Sequence, residues 1–151
     1  MENAVRIDLL SKSDKIQVLD LLSNAELPIE DLTDEKMKNF IIAKGKDDIV
    51  IGVVGVEMYK ESGLLRSLTV LPSHRGNGLG CRLTREIESF ARSKGIKTLY
   101  LLTMTAADFF PKIGYKLTPK DMVPESIMKT EEFKNICPVS AVCLSKVLDS
   151  A

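Results

Sequence analysis

Excess charge of either sign is missing from this chain of 151 residues, in which 21 Lys and Arg balance 21 Asp and Glu. No electrostatic footprint for nucleic acid is therefore present. Long hydrophobic runs are missing too. The most apolar stretch, residues 49–56, is far too short to span a bilayer, and its β-branched residues predict a buried strand. The opening residues, Met-Glu-Asn-Ala-Val-Arg-Ile-Asp, lack a basic region followed by an apolar run, so no signal peptide and no membrane partner are expected. Histidine occurs once, at His74, between Ser73 and Arg75, where an exposed turn residue is the default reading. Cysteine occurs three times, at Cys81, Cys137 and Cys143, an odd number without metal-ligand spacing. That suits reduced thiols of the cytoplasm, and no metal site is expected. Repeats, low-complexity segments and interdomain linkers are absent, so one domain over residues 1–151 is predicted.

What is present is concentrated between Leu68 and Arg92. Leu68-Thr-Val-Leu-Pro-Ser-His-Arg-Gly-Asn-Gly-Leu-Gly80 reads as a strand ending in a glycine-rich turn that feeds an amphipathic helix from Cys81. Gly76, Gly78 and Gly80 let the backbone bend sharply and approach a ligand without a Cβ in the way. Free N–H groups and the positive end of the helix dipole then converge on one point, an anion trap suited to phosphate or pyrophosphate. A nucleoside triphosphate loop would need Lys followed by Ser or Thr, and a dinucleotide loop would need G-x-G-x-x-G with an acidic residue after the next strand. Neither template fits.

Arg75-x-x-Gly78-x-Gly80 resembles the [QR]-x-x-G-x-[GA] loop of the GNAT superfamily of N-acetyltransferases. Downstream, Phe109-Phe110-Pro-Lys-Ile-Gly114-Tyr115 resembles that family's (Y/F)-x-x-x-G-(F/Y) element. The resemblance covers Leu64 to Leu117 closely. It implies an α/β acyl-CoA N-acyltransferase fold, a mixed, mostly antiparallel sheet of about seven strands with helices on both faces. The implied co-substrate is acetyl-CoA. Backbone N–H groups at Arg75, Gly76, Asn77, Gly78, Leu79, Gly80 and Cys81 would hold its pyrophosphate, and Leu68 and Val70 would pair with its pantetheine arm like an added strand.

The element pattern agrees. Strands are predicted at Val5–Leu9, Phe40–Lys44, Ile49–Tyr59, Leu64–Leu71, Thr98–Thr103, Tyr115–Leu117 and Ser140–Val147. Ser13-Asp14 is placed to cap a helix whose apolar face holds Ile16, Val18, Leu19, Leu21 and Leu22. Thr33 is placed to cap a short second helix. Gly95 stops the helix of the glycine loop. Short helices are expected over Ala106–Ile113 and, begun by Pro124, over Val123–Lys134.

Catalytic groups are less plainly marked. Where many relatives carry a glutamate on the fourth strand, this chain has Leu64. Glu57 on the neighbouring strand is the substitute base, its alternative being a solvated strand-end charge. The family's frequent acid, a tyrosine four residues before Gly114, is Phe110 here, which would pack against the cofactor arm. The thiolate would then draw on Thr105, solvent or the substrate's own proton, while Tyr115 reads as core. Alternation puts Arg66 on the face of Leu64, Leu68 and Val70, as a fork for a substrate carboxylate or as an internal salt bridge to Glu57 or Glu61. Cys81, Cys137 and Cys143 read as small core thiols, although two thiols flanking Pro138 could meet a soft metalloid.

Two finer resemblances bear on the acceptor. Residues 101–110 resemble a run of the N-acetylglutamate-synthase-like amino-acid acetyltransferases, which implies an α-amino acid or something shaped like one. Cys137-Pro-Val-Ser-Ala-Val-Cys143, with Glu131-Glu-Phe133 upstream, resembles a small bacterial subgroup associated with arsenic resistance and implies a detoxifying role. Leu27, Pro28 and Lys129 would then lie on loops flanking the acceptor. A non-catalytic acetyl-CoA sensor and a protein acetyltransferase are the rival readings. The sequence leaves open whether the last strand stays in its own subunit or is exchanged in a homodimer.

Overall fold

The structure is a computed structural model that describes residues 5–103, 109–131, 133–134 and 141–148. In chain order it forms β1 (Arg6–Leu9), α1 (Lys15–Asn24), α2 (Asp34–Met37), β2 (Phe40–Lys44), β3 (Val50–Tyr59), β4 (Ser62–Val70), α3 (Leu79–Ser93), β5 (Thr98–Thr103), β6 (Lys116–Leu117), α4 (Glu125–Met128) and β7 (Val142–Val147). The strands make a seven-stranded sheet of order β1-β2-β3-β4-β5-β7-β6. Pairing is antiparallel at β1–β2, β2–β3, β5–β7 and β6–β7 and parallel at β4–β5. This is the mixed, mostly antiparallel sheet expected, and β7 pairs with strands of its own chain. The chain divides into two compact units, Met1–Val56 with Ser67–Ile87, and Glu57–Arg66 with Glu88–Ala151.

In the first unit, Val18, Leu21 and Leu22 stand at i, i+3 and i+4 of α1, so one stripe of the helix packs on Met37, Phe40, Ile42, Val50 and Val53. Each fully buried aliphatic side chain there contributes about 1.5–3 kcal/mol. Ile16, expected on that stripe, is 75% exposed because two residues before Val18 is the far side of a helix. Asp14 is the N-cap residue of α1, as read, but its carboxylate makes no capping bond to that helix. Ser11 donates its N–H (3.1 Å) and its hydroxyl (2.7 Å) to the Asp14 carboxylate, which also holds Lys44 at 2.9 Å. Burial pushes the Asp14 carboxyl up, but the bonds from Lys44 and Ser11 outweigh it and leave it below its usual value. Thr33 caps α2 as predicted, its hydroxyl accepting from the Lys36 N–H at 3.1 Å. Gly55 lies against the face of Phe40, where a Cβ would collide with the ring.

In the second unit, Leu64, Val123, Ile127, Phe133 and Cys143 form the core, with Tyr59, Tyr100 and Leu102 packed on it. The β4–β5 register runs from Ser62–Thr98 to Leu64–Tyr100. The C-terminus of α3 closes through the Ile96 N–H on the Ala91 carbonyl at 3.0 Å, made possible by Gly95 at φ +91°. The helix expected over Val123–Lys134 is interrupted: α4 ends at Met128 after one turn, and helical backbone returns at Glu131 and at Phe133–Lys134. Of the short helix expected over Ala106–Ile113, the described part is a 3-10 helix at Phe110–Ile113 that ends on Gly114 at φ +102°; residues 104–108 lie outside the described residues.

Candidate active site

The glycine turn is built on β4 and α3 of the first unit. Leu71 hands its N–H to the Ile51 carbonyl at 2.8 Å, and a 3-10 turn at Pro72–His74 carries the chain off the strand. Arg75 braces the turn from its exposed position, its Nε donating to the Val70 carbonyl at 2.8 Å. Gly76 and Gly78 adopt φ +87° and +79°, with open space where a Cβ would point. These are backbone conformations that favour glycine. Leu79 anchors the start of α3 in the core, 8% exposed, while Gly76, Asn77 and Gly78 face solvent.

The first intrahelical bond at this end is the Arg82 N–H on the Gly78 carbonyl, 3.0 Å. The N–H groups of Leu79, Gly80 and Cys81 therefore have no acceptor within the helix. Thr84 takes the Gly80 carbonyl at 2.8 Å. The first turn of α3 contains no acidic side chain to compete for these donors. An exposed turn of open glycines at the positive end of a 15-residue helix fits an anion of pyrophosphate size. Beside it, in the same unit, α1, β3 and β4 enclose a half-open cavity of about 360 Å³ lined by residues including Asp20, Asn24, Thr69 and Arg75.

Halfway along β4, Ser67 stands at φ +61°, a left-handed residue inside a strand. Such a residue interrupts the pleat, so alternation cannot be carried from Arg66 to Leu68 across it. Leu68 and Val70 are half-buried beyond the interruption.

Arg66 is not open to a ligand. Its Nη1 donates to Glu57 Oε2 at 2.5 Å, and the two side chains are 0% and 4% exposed. The internal salt bridge, not the carboxylate fork, is the arrangement formed, because a guanidinium without solvent needs a fixed counter-charge. Glu57 is accordingly neither a lone buried carboxylate nor a solvated strand end. Its Oε1 accepts from the Tyr59 hydroxyl. Tyr59 was legible two residues from Glu57, on the same strand face, but carried no motif.

Phe110 is consumed by packing, 4% exposed, with ring centroids 5.1 Å from Phe109 and 5.4 Å from Tyr115. Tyr115 is core, as read, and donates to Glu88 Oε2 at 2.8 Å. Lys146 reaches the same carboxylate at 3.1 Å and the Ile113 carbonyl at 3.1 Å. Burial, then the charge and hydrogen bond of Glu88, push the Tyr115 phenol far above its usual range. Leu27 packs on the core of the first unit, its N–H on the Leu22 carbonyl at 3.0 Å, and Pro28 is half-buried. Lys129 is exposed and faces Glu125 at 3.5 Å. Cys81 is half-buried and Cys143 buried. Thr105 and Cys137 lie outside the described residues.

The chain is similar to known proteins in sequence and in fold. The chain is 32% identical over 100 residues to an amino-acid acetyltransferase of Ralstonia nicotianae, covering 65% of this chain and 22% of that one. It thus spans about a fifth of that relative's length. An N-acetyltransferase of Chlorobaculum tepidum, itself described as uncharacterised, is 30% identical over 110 residues, covering 72% of this chain and 68% of that one. The fold matches N-acetylglutamate synthase of Neisseria gonorrhoeae, solved with coenzyme A and N-acetyl-glutamate, at a TM-score of 0.85 and 21% identity, over 99% of this chain and 36% of that one. A Mycobacterium tuberculosis protein solved with CoA matches at 0.81 and 17% identity, over 95% and 99%. The model of the acetyltransferase (GNAT) domain matches residues 36–117, more than half the chain. That span holds both the glycine turn and the Phe110–Tyr115 element, and the chain belongs to the GNAT acetyltransferase family.

Proposed function

We propose that the protein is an N-acetyltransferase that moves the acetyl group of acetyl-CoA to the primary amine of a small, amino-acid-like molecule. The observation that carries this reading is the exposed turn at Arg75–Gly78, with left-handed Gly76 and Gly78 at the N-terminus of α3, whose first turn holds no acidic side chain. Its N–H groups would hold the pyrophosphate. The backbone N–H of Leu68 or Val70 would polarise the thioester carbonyl, whose charge grows as the amine adds. Holding both reactants in line supplies much of the acceleration, since the thioester is already activated. The amino-acid acetyltransferases among the relatives support an acceptor of that shape.

The Cys137–Cys143 resemblance extends the acceptor class to a toxic amino-acid analogue, such as a phosphinate or arsenical. The odd number of cysteines supports a reducing cytoplasm as the location, and no helix among the described residues is long and apolar enough to cross a membrane. A second reading, an acetyl-CoA sensor without turnover, is favoured by Leu64 and Phe110 at the positions of the family's base and acid.

Release of free CoA from acetyl-CoA, measured against glutamate, other α-amino acids, their phosphinate and arsenical analogues and a lysine-containing peptide, tests both. Turnover with an amino-acid-like amine is expected. Acetyl-CoA binding with no turnover on any amine would leave the sensor, and turnover on the peptide alone would make it a protein acetyltransferase.

A further inference from the structure

Asp20, Leu21 and, one turn on, Asn24 stand on one side of α1, at the border of the stripe that packs on the core. Thr69 near the end of β4, Leu71 and Arg75 line the same half-open cavity of about 360 Å³, and all six residues belong to the first unit. The two charges in this lining are not paired with one another. Among the described residues neither Asp20 nor Arg75 makes an ion pair. Arg75 Nε is fixed on the Val70 carbonyl at 2.8 Å, which leaves its two Nη groups as a planar fork. Asp20 and Asn24 lie towards the C-terminus of α1, the negative end of the helix, whose last turn holds no basic side chain. Thr69 is 8% exposed, and its hydroxyl has no hydrogen-bond partner among the described residues. A buried hydroxyl of that kind is costly unless something in the cavity bonds to it.

We propose that this cavity binds a free aliphatic α-amino acid as its zwitterion. The carboxylate lies on the Arg75 fork and accepts from the Thr69 hydroxyl. The ammonium donates to Asp20 and Asn24, and the side chain packs on Leu21 and Leu71. A ligand with one charge would leave the other end of the cavity unmatched, whereas a zwitterion answers both. The volume suits a molecule of this size, since about 300 Å³ is the lower end for ligand pockets. An acidic side chain is disfavoured, because it would set a second carboxylate against two leucines. The site is defined by its own lining and stands whether or not the protein transfers acetyl groups.

The test is equilibrium dialysis of the full chain against labelled L-leucine, without acetyl-CoA. One molecule per chain is expected to bind. N-acetyl-L-leucine, which lacks the ammonium, 3-methylbutylamine, which lacks the carboxylate, and L-glutamate should each compete at least about tenfold more weakly. Asp20→Asn and Arg75→Gln should each lower L-leucine affinity by about tenfold or more. Asp20→Asn should leave the melting temperature unchanged, since Asp20 is exposed and makes no ion pair among the described residues. Adding acetyl-CoA then separates two sources of the same chemistry, and the site is supported by either. N-acetylation of the bound L-leucine makes it the acceptor, and L-leucine retained unchanged makes it an effector. No binding of L-leucine at millimolar concentration, wild-type affinity in both variants, or equal competition by N-acetyl-L-leucine would overturn the site and leave the acetyltransferase reading intact. Displacement of L-leucine by acetyl-CoA, mole for mole, would also overturn it, assigning the cavity to the cofactor.

Discussion

Arg66 and Glu57 close on each other across the β3–β4 hairpin at 2.5 Å, with almost no surface left to solvent. A buried pair of this kind is costly to break, because either partner alone is an uncompensated charge. Arg66→Met should therefore destabilise the protein by about 3–5 kcal/mol. The double change Glu57→Gln with Arg66→Met should recover most of that loss, since no buried charge then remains. Urea unfolding of the three proteins measures this; equal loss in single and double variants would mean that the pairing is not what stabilises the hairpin.

Gly78 and Gly95 offer a matched comparison. Both stand at positive φ, +79° and +91°, with nothing within 4 Å of a built Cβ. Alanine at either should cost about 1–2 kcal/mol of stability through backbone strain alone. Only Gly78→Ala should also weaken acetyl-CoA, by about tenfold for each 1.4 kcal/mol of lost contact, because only Gly78 belongs to the proposed pyrophosphate turn. Calorimetric titration with acetyl-CoA separates the two, and equal affinity in both variants would move the phosphate site elsewhere.

Tyr115 makes stability depend on alkaline pH. Its folded-state pKa lies far above the ordinary 10.0, chiefly through burial and then Glu88. The folded protein keeps the phenolic proton at pH values where the unfolded chain has released it. The contribution is thus complete below about pH 10 and is lost as pH rises above it. Tyr115→Phe should flatten that alkaline decline in a series of unfolding curves. Ultraviolet titration should find one tyrosine that ionises only on unfolding.

Much of the architecture was legible because it is local. Continuous apolar runs marked β2, β3 and β5 nearly to the residue, and the stripe Val18-Leu21-Leu22 marked α1. Gly95 marked the end of α3 through its need for a left-handed residue. Where local rules competed, the reading slipped. Asp14 stands at the N-cap of α1 as read, but its carboxylate holds Ser11 and Lys44, thirty residues on, instead of the helix N–H groups. The Val123–Lys134 segment has the composition of a longer helix, yet Ile127 and Phe133 are both drawn into the core around Leu64 and α4 ends after one turn.

The sequence by itself determined the glycine turn, the strand-turn-helix that presents it and the family, because each depends on neighbours within a few residues and on glycine's freedom at positive φ. Only the tertiary structure decided what the charged side chains do. Alternation along β4 placed Arg66 beside Leu68, but Ser67 turns left-handed between them, a conformation that no glycine announced. Arg66 meets Glu57 nine positions earlier, and Glu88 meets Tyr115 and Lys146, 27 and 58 positions later. A buried charge must find a counter-charge wherever folding brings one, and chain spacing carries no record of that distance.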